Sequence, residues 1–233
     1  MMRSKSIALL GGAGLVVGAV LAGCLDDATD ARTDDFVISN LGVTFGAWDR
    51  GSNRAGDFVF LEREQKVFLE FGAIVSDGEG GTKELPTFEY KLRPEAVIFA
   101  IAEGTVTRFG FQEDTEDYEF AVQSDRDPAF EVGYDHVLNP TVSPGDSVEA
   151  GDVLGNPGIW SEQLGRFEIM INNSETGLSY CPFRFFDPNL ADEYQQQVSR
   201  FMEDWETFKD DPTVYDEENH VCPGCRYESM VSY

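Results

Sequence analysis

The chain has 233 residues, with 17 Lys+Arg against 43 Asp+Glu and a formal net charge of −26. Hydrophobic residues make up 42% and charged residues 26%, which is a globular mix with enough apolar side chains for a real core. The absence of any Lys/Arg cluster excludes a nucleic-acid backbone as partner, and the two histidines, His136 and His220, exclude any site that needs three.

Only five residues are lysine (Lys5, Lys66, Lys83, Lys91 and Lys209). An acid-rich, lysine-poor surface suits high salt, where screening relieves self-repulsion, and it equally suits a simply soluble acidic protein.

Residues 1–23 open with Arg3 and Lys5, continue through an apolar stretch from Ile7, and end in small residues. This is the layout of a secretory signal rather than of a core helix. The ending Leu21-Ala22-Gly23-Cys24 resembles the lipobox of prokaryotic lipoproteins. That resemblance implies that Cys24 is lipidated and becomes the first residue of a membrane-anchored, extracytoplasmic chain. In a Gram-negative cell, Leu25 in place of an aspartate points to the outer membrane. Residues 24–35 then read as a short acidic linker that stands off an anionic membrane surface.

From residue 36 to residue 180 the pattern is β. The runs FVFL (58–61), KVFLEFGAIV (66–75), TFEYKL (87–92), AVIFAI (96–101), GTVTRFGF (104–111), YEFAVQ (118–123) and RFEIMI (166–171) favour strands. Turn signals separate them at Ser76-Asp77-Gly78, Gly80-Gly81, Asn139-Pro140, Ser143-Pro144-Gly145 and Asn156-Pro157-Gly158. The acidic runs 113–117 and 125–127 flank strand 118–123. They offer hard oxygen ligands, but lack the D-x-D-x-D-G spacing of a calcium loop, so a solvated acidic loop is the simpler reading.

The segment HVLNPTVSPGDSVEAGDVLGNPG (136–158) carries Val142-x-x-Gly145 and Val148-x-x-Gly151, followed by Val153-Leu154-Gly155. With the strand–Gly–strand run 98–106 and Tyr134-Asp135-His136, it resembles the core of lysostaphin/LytM-type zinc endopeptidases, which cut peptidoglycan cross-bridges. The resemblance spans about residues 85–172 and implies a barrel-sandwich-like antiparallel β domain. Biotinyl and lipoyl carriers share such hairpins, but a carrier needs a lysine at the tip, and the tip 146–150 has none.

The resemblance also implies where zinc ligands would stand. Family spacing places the first metal histidine at Leu85, the metal aspartate at Glu89 and the last metal histidine at Arg166. His136 matches the histidine that assists catalysis, and Leu164 takes the first place of the family's H-x-H element. Leucine offers no donor atom, and a guanidinium cannot ligate zinc. Glu89, His136 and Arg166 are therefore remnant positions of a lost hydrolytic site, with no catalytic residue and no cofactor expected. Arg166 either pairs with Glu89 or points to solvent.

Residues 181–233 change period. Asp187 followed by Pro188 is a helix start, and Leu190, Tyr194, Val198, Phe201, Met202, Trp205 and Phe208 recur at spacings of three and four, giving one apolar face to pack on the β domain. Outside the cytoplasm Cys181 is expected to pair with Cys222 or Cys225, leaving one free thiol. The alternative is a structural zinc held by Cys181, His220, Cys222 and Cys225.

Two functions follow from these readings. One is a membrane-tethered, catalytically inactive binding or regulatory module of the cell envelope, with peptidoglycan, another glycan or an envelope protein as partner. The other is a metal-dependent cell-wall peptidase with a non-standard ligand set around Glu89 and His136.

Overall fold

The computed structural model describes residues 35–78 and 80–232. The signal segment, Cys24 and nearly all of the acidic linker lie outside these residues. No helix among the described residues is long and apolar enough to cross a membrane.

The architecture is mainly β, as the sequence pattern predicts. The principal strands are β1 (Phe88–Leu92), β2 (Gly104–Gln112), β3 (Asp117–Gln123), β4 (Phe130–Leu138), β5 (Val153–Ile159), β6 (Gly165–Asn173) and β7 (Leu178–Tyr180). They are followed by helix α1 (Ala191–Lys209) and a last strand β8 (Ser229–Val231). All pairings between strands are antiparallel, and the central order runs β1–β6–β5–β4–β3–β2. The sheet forks: β4 pairs directly with β6 up to Asp135↔Glu168, then changes partner and pairs with β5 from Val137↔Pro157 onward.

Three predicted elements differ. The run 66–75 breaks into Phe68–Leu69 and Ile74–Ser76. Gly72 turns between them with φ +87, where a Cβ would stand 2.7 Å from the Tyr227 ring. Asn156-Pro157-Gly158 is not a turn but the middle of β5. Pro157 has no N–H to donate to the ladder, and the Asn156 side chain instead donates to the Ala96 carbonyl at 2.8 Å. In the hairpin segment 142–155, Val148 and Leu154 are buried while Val153, in the same valine–glycine pattern, faces out.

Helix α1 begins at Ala191, later than the Asp187-Pro188 start. Asp187 uses its carboxylate to accept from the Asn189 backbone N–H at 2.8 Å, closing a tight turn ahead of the helix. At the other end, Asp210 takes a left-handed conformation and its N–H returns to Glu206 and Thr207.

The apolar face packs as its period dictates. Val198, Phe201, Met202 and Trp205 are buried in the same core as Phe45, Phe58, Phe60 and Phe68 from the β region. The Phe58 and Phe201 rings stand 4.4 Å apart, and Trp205 donates from its indole to the Gln65 carbonyl at 3.1 Å. Each such side chain contributes about 1.5–3 kcal/mol of burial, so the helix belongs to the core and not to a loose appendage.

After the helix, the short turn Glu217–Asn219 brings Glu217 within the field of Glu206 and Glu203. Partial burial, and then those two carboxylates, push the Glu217 carboxyl up to about 7. A raised folded-state value means that the folded chain holds this proton more tightly than the unfolded one. The stabilisation is present below the ordinary value near 4.5 and is lost as the pH rises through about 7. The melting temperature is expected to fall across that window, and Glu217→Gln to flatten the fall, in thermal melts from acid to neutral pH. A slope unchanged by the substitution would assign the pH dependence elsewhere.

Candidate functional site

The site grows from one irregularity in β4. Along a regular strand successive side chains point to opposite faces. Here His136 adopts a left-handed backbone with φ 59, one of the few residue types that tolerate it. The β3–β4 ladder consequently slips between Tyr118↔Val137 and Phe120↔Tyr134, leaving two residues of β4, Asp135 and His136, against the single Glu119 of β3. This bulge lets two adjacent side chains converge, with His136 Nε2 at 3.8 Å from Asp135 Oδ2.

Register supplies the rest. Asp135 stands opposite Glu168, and Glu168 opposite Glu89, so three carboxylates lie abreast across β4, β6 and β1 on one face. Arg166, two residues before Glu168 on β6, shares that face. Its guanidinium pairs with Glu168 at 2.5 Å and with Glu89 at 3.1 Å. Burial alone would lower the Arg166 pKa, but Glu168 and then Glu89 hold it above its usual value. Glu168 is raised by burial and by Glu89 against the opposing pull of Arg166 and His136.

Beneath the row, Asp117 is 1% exposed and His136 7% exposed. His136 Nδ1 lies 2.9 Å from Asp117 Oδ2. The other Asp117 oxygen accepts from the Thr115 hydroxyl at 2.6 Å. Packing leaves no room to spare: a Cβ on Gly158 would stand 2.4 Å from Asp117 Oδ2. Asp117, Asp135 and His136 together present ligand atoms within 4.8 Å of one another.

A groove of about 900 Å³ opens beside the row, with Leu85, Glu89 and Arg166 in its wall. All four lysines among the described residues, Lys66, Lys83, Lys91 and Lys209, line it. Trp160, 44% exposed, stands over Lys91 at 4.4 Å. Lys66 pairs with Glu70 and Lys91 with Glu64, so the groove is nearly charge-neutral in a chain of −26.

The residues singled out from the sequence thus fall into two groups. Glu89, His136 and Arg166 come together, with Arg166 on Glu89 and not in solvent. Leu85 is buried and Leu164 is buried, neither with a donor atom to offer. A zinc ion at the positions the resemblance implies has only Glu89 to hold it, with a fixed positive charge beside it; the residues do not fit that ion. The structure adds Asp117, Asp135 and Glu168. Asp117 read as one more acid of a solvated loop, because nothing in the run 113–117 marks it as buried. Strand β4 was missed altogether, and with it the placement of Asp135.

At the tail, Cys181 and Cys225 form a disulfide with S–S 2.05 Å. Their sulfurs carry no thiolate for a metal, so the four-residue zinc alternative with His220 and Cys222 is overturned. No cysteine among the described residues is a free thiol, against the expectation of one. His220 has no hydrogen-bond partner on either ring nitrogen among the described residues. Burial lowers its pKa against the pull of Glu70.

No protein-family model matches the chain, and no curated protein matches it. Solved structures do. The catalytic domain of lysostaphin from Staphylococcus simulans is 18% identical over 50% of this chain and 87% of that one, with a TM-score of 0.40. The novel M23 metalloprotease Pseudoalterin, from the deep sea, is 15% identical over 60% of this chain and 72% of that one, with a TM-score of 0.36. Against the solution structure of lysostaphin the identity is 19% and the TM-score 0.34, with 40% of this chain covered but only 37% of that one. The chain is similar in part, and at low identity, to lysostaphin/LytM-type peptidase structures.

Proposed function

We propose that this chain is a non-hydrolytic binding or regulatory module of the cell envelope, held to the membrane through a lipid on Cys24, with the groove beside Arg166 as its ligand surface. The observation that carries the reading is the Arg166 guanidinium set between Glu89 and Glu168. It places a permanent cation where the sequence resemblance puts a metal histidine, and it occupies the one acidic ligand position that remains. An exposed tryptophan over a lysine, in a groove of near-neutral charge, suits a neutral or zwitterionic ligand such as a glycan or its attached peptide.

Purified peptidoglycan tests this. The full chain in mild detergent is expected to co-sediment with it, to lose most of that binding on Trp160→Ala, and to release no soluble fragments or new amino groups. Chelator-sensitive release of new amino groups, lost on His136→Asn, would establish instead the peptidase with a non-standard ligand set. Failure to co-sediment, with no release, removes peptidoglycan and leaves an envelope protein to be sought.

A further inference from the structure

One side of the groove is an unfinished sheet. Strand Ile74–Ser76 pairs with strand Thr82–Glu84 alone, in a two-stranded ladder apart from the main sheet. The Leu85 N–H donates to the Ala73 carbonyl at 2.9 Å, and the Asp77 N–H to the Gly81 carbonyl at 3.2 Å. Antiparallel ladders alternate bonded and non-bonded pairs, so Val75 bonds inward to Lys83, which stands opposite it. The N–H and C=O groups of Ile74 and Ser76 therefore point away from the hairpin, and nothing among the described residues bonds to them. That edge faces the groove. Ile74 and Ser76 line it, whereas Thr82 and Glu84, on the hairpin's opposite edge, do not.

The side chains around this edge are also left without partners. Lys83 lines the groove although it belongs to the far strand, so its side chain crosses Val75 to reach it. The other cations of the groove each meet a carboxylate: Arg63 and Lys91 at Glu64, Lys66 at Glu70, Lys209 at Glu62, and Arg166 at Glu89. Lys83 is exposed and forms no ion pair among the described residues. On the strand's other face, Ile74 is 58% exposed.

We propose that the Ile74–Ser76 edge takes up an extended segment of a partner protein as a third strand, with an acidic residue opposite Val75 and an apolar one opposite Ile74. Main-chain hydrogen bonds supply the attachment, and alternate side chains supply the choice of segment. The added strand stands about 9.6 Å from strand Thr82–Glu84. A lysine reaching from one side and a glutamate from the other close that distance over Val75. On the opposite face, an apolar residue set against Ile74 removes both from water. The inference rests on the groove as a ligand surface, but it needs neither Trp160 nor a glycan.

The probe is the blocked peptide Thr-Val-Glu-Val-Thr, whose symmetry gives the same register in either strand direction. Fluorescence anisotropy of the labelled peptide, titrated with the full chain in mild detergent, is expected to show saturable binding. Lysine in place of the peptide's glutamate is expected to weaken it about fivefold, and N-methylation of the peptide's amides to abolish it. Lys83→Glu is expected to reverse the preference between the two peptides. Ser76→Pro removes an outward N–H and keeps every inward bond, and it is expected to abolish binding. Should that variant lose the hairpin, hydrogen exchange on the parent decides, because the Ile74 and Ser76 amides are expected to slow when peptide is added. No saturable binding, binding that survives N-methylation, a peptide preference untouched by Lys83→Glu, or no slowing at either amide would overturn the proposal. Co-sedimentation with peptidoglycan without peptide binding would remove this site and leave the proposed function standing. Peptide binding without co-sedimentation would keep this site and remove the glycan.

Discussion

Replacing Arg166 by methionine is expected to destabilise the fold by about 3 kcal/mol, the low end for breaking a buried ion pair, because the guanidinium keeps some contact with water. The loss is not the strength of two hydrogen bonds. It is the cost of leaving Glu89 and Glu168, which face each other across β1 and β6, without a cation between them. The triple change Arg166→Met with Glu89→Gln and Glu168→Gln is therefore expected to recover most of that stability, since it removes the charges along with their partner. Chemical denaturation of the three proteins checks this. The Arg166 guanidinium also lies 5.8 Å from the centre of the Trp160 ring, and a triple variant no more stable than the single one would mean that Arg166 acts by packing there and not by charge.

The same residues show how far a sequence can be read. Glu89 and Arg166 sit in strands whose alternation is plain, TFEYKL and RFEIMI, so pairing those two strands in register brings them together. The helix face at Val198, Phe201 and Trp205 is equally legible, because one period fixes which side is buried. His136 was visible as a residue, but its environment was not. That environment depends on a bulge, and on the point where β4 exchanges β6 for β5; neither has a local signature. Asp117 shows the limit most clearly. Five polar residues in a row read as a loop, and only the fold turns the last of them inward beneath a glycine of β5. The Asn-Pro-Gly of β5 misled in the opposite sense, because turn chemistry was overridden by a ladder position that wanted no donor.

Removing the Cys181–Cys225 disulfide with the double variant Cys181→Ala/Cys225→Ala is expected to cost about 4 kcal/mol, from the loop entropy that a link across 44 residues withholds from the unfolded chain. The double variant is preferable to a reductant, which would act on every disulfide at once. The closed loop contains the whole of α1, so the question is whether the tail leaves first or the molecule unfolds together. Contacts of several kinds hold it besides the disulfide. Strand β8 pairs with β7, the Phe71 N–H donates to the Gly224 carbonyl at 2.9 Å, and the buried face of α1 shares its core with Phe58 and Phe60. A tail tied into one core cannot detach without opening that core. Loss of sheet signal and exposure of the fully buried Trp205 are therefore expected to coincide in the variant as in the parent, at a lower denaturant midpoint. Tryptophan emission that shifts well before the sheet signal would show instead that the disulfide, and not the aromatic core, is what keeps the helix on the domain.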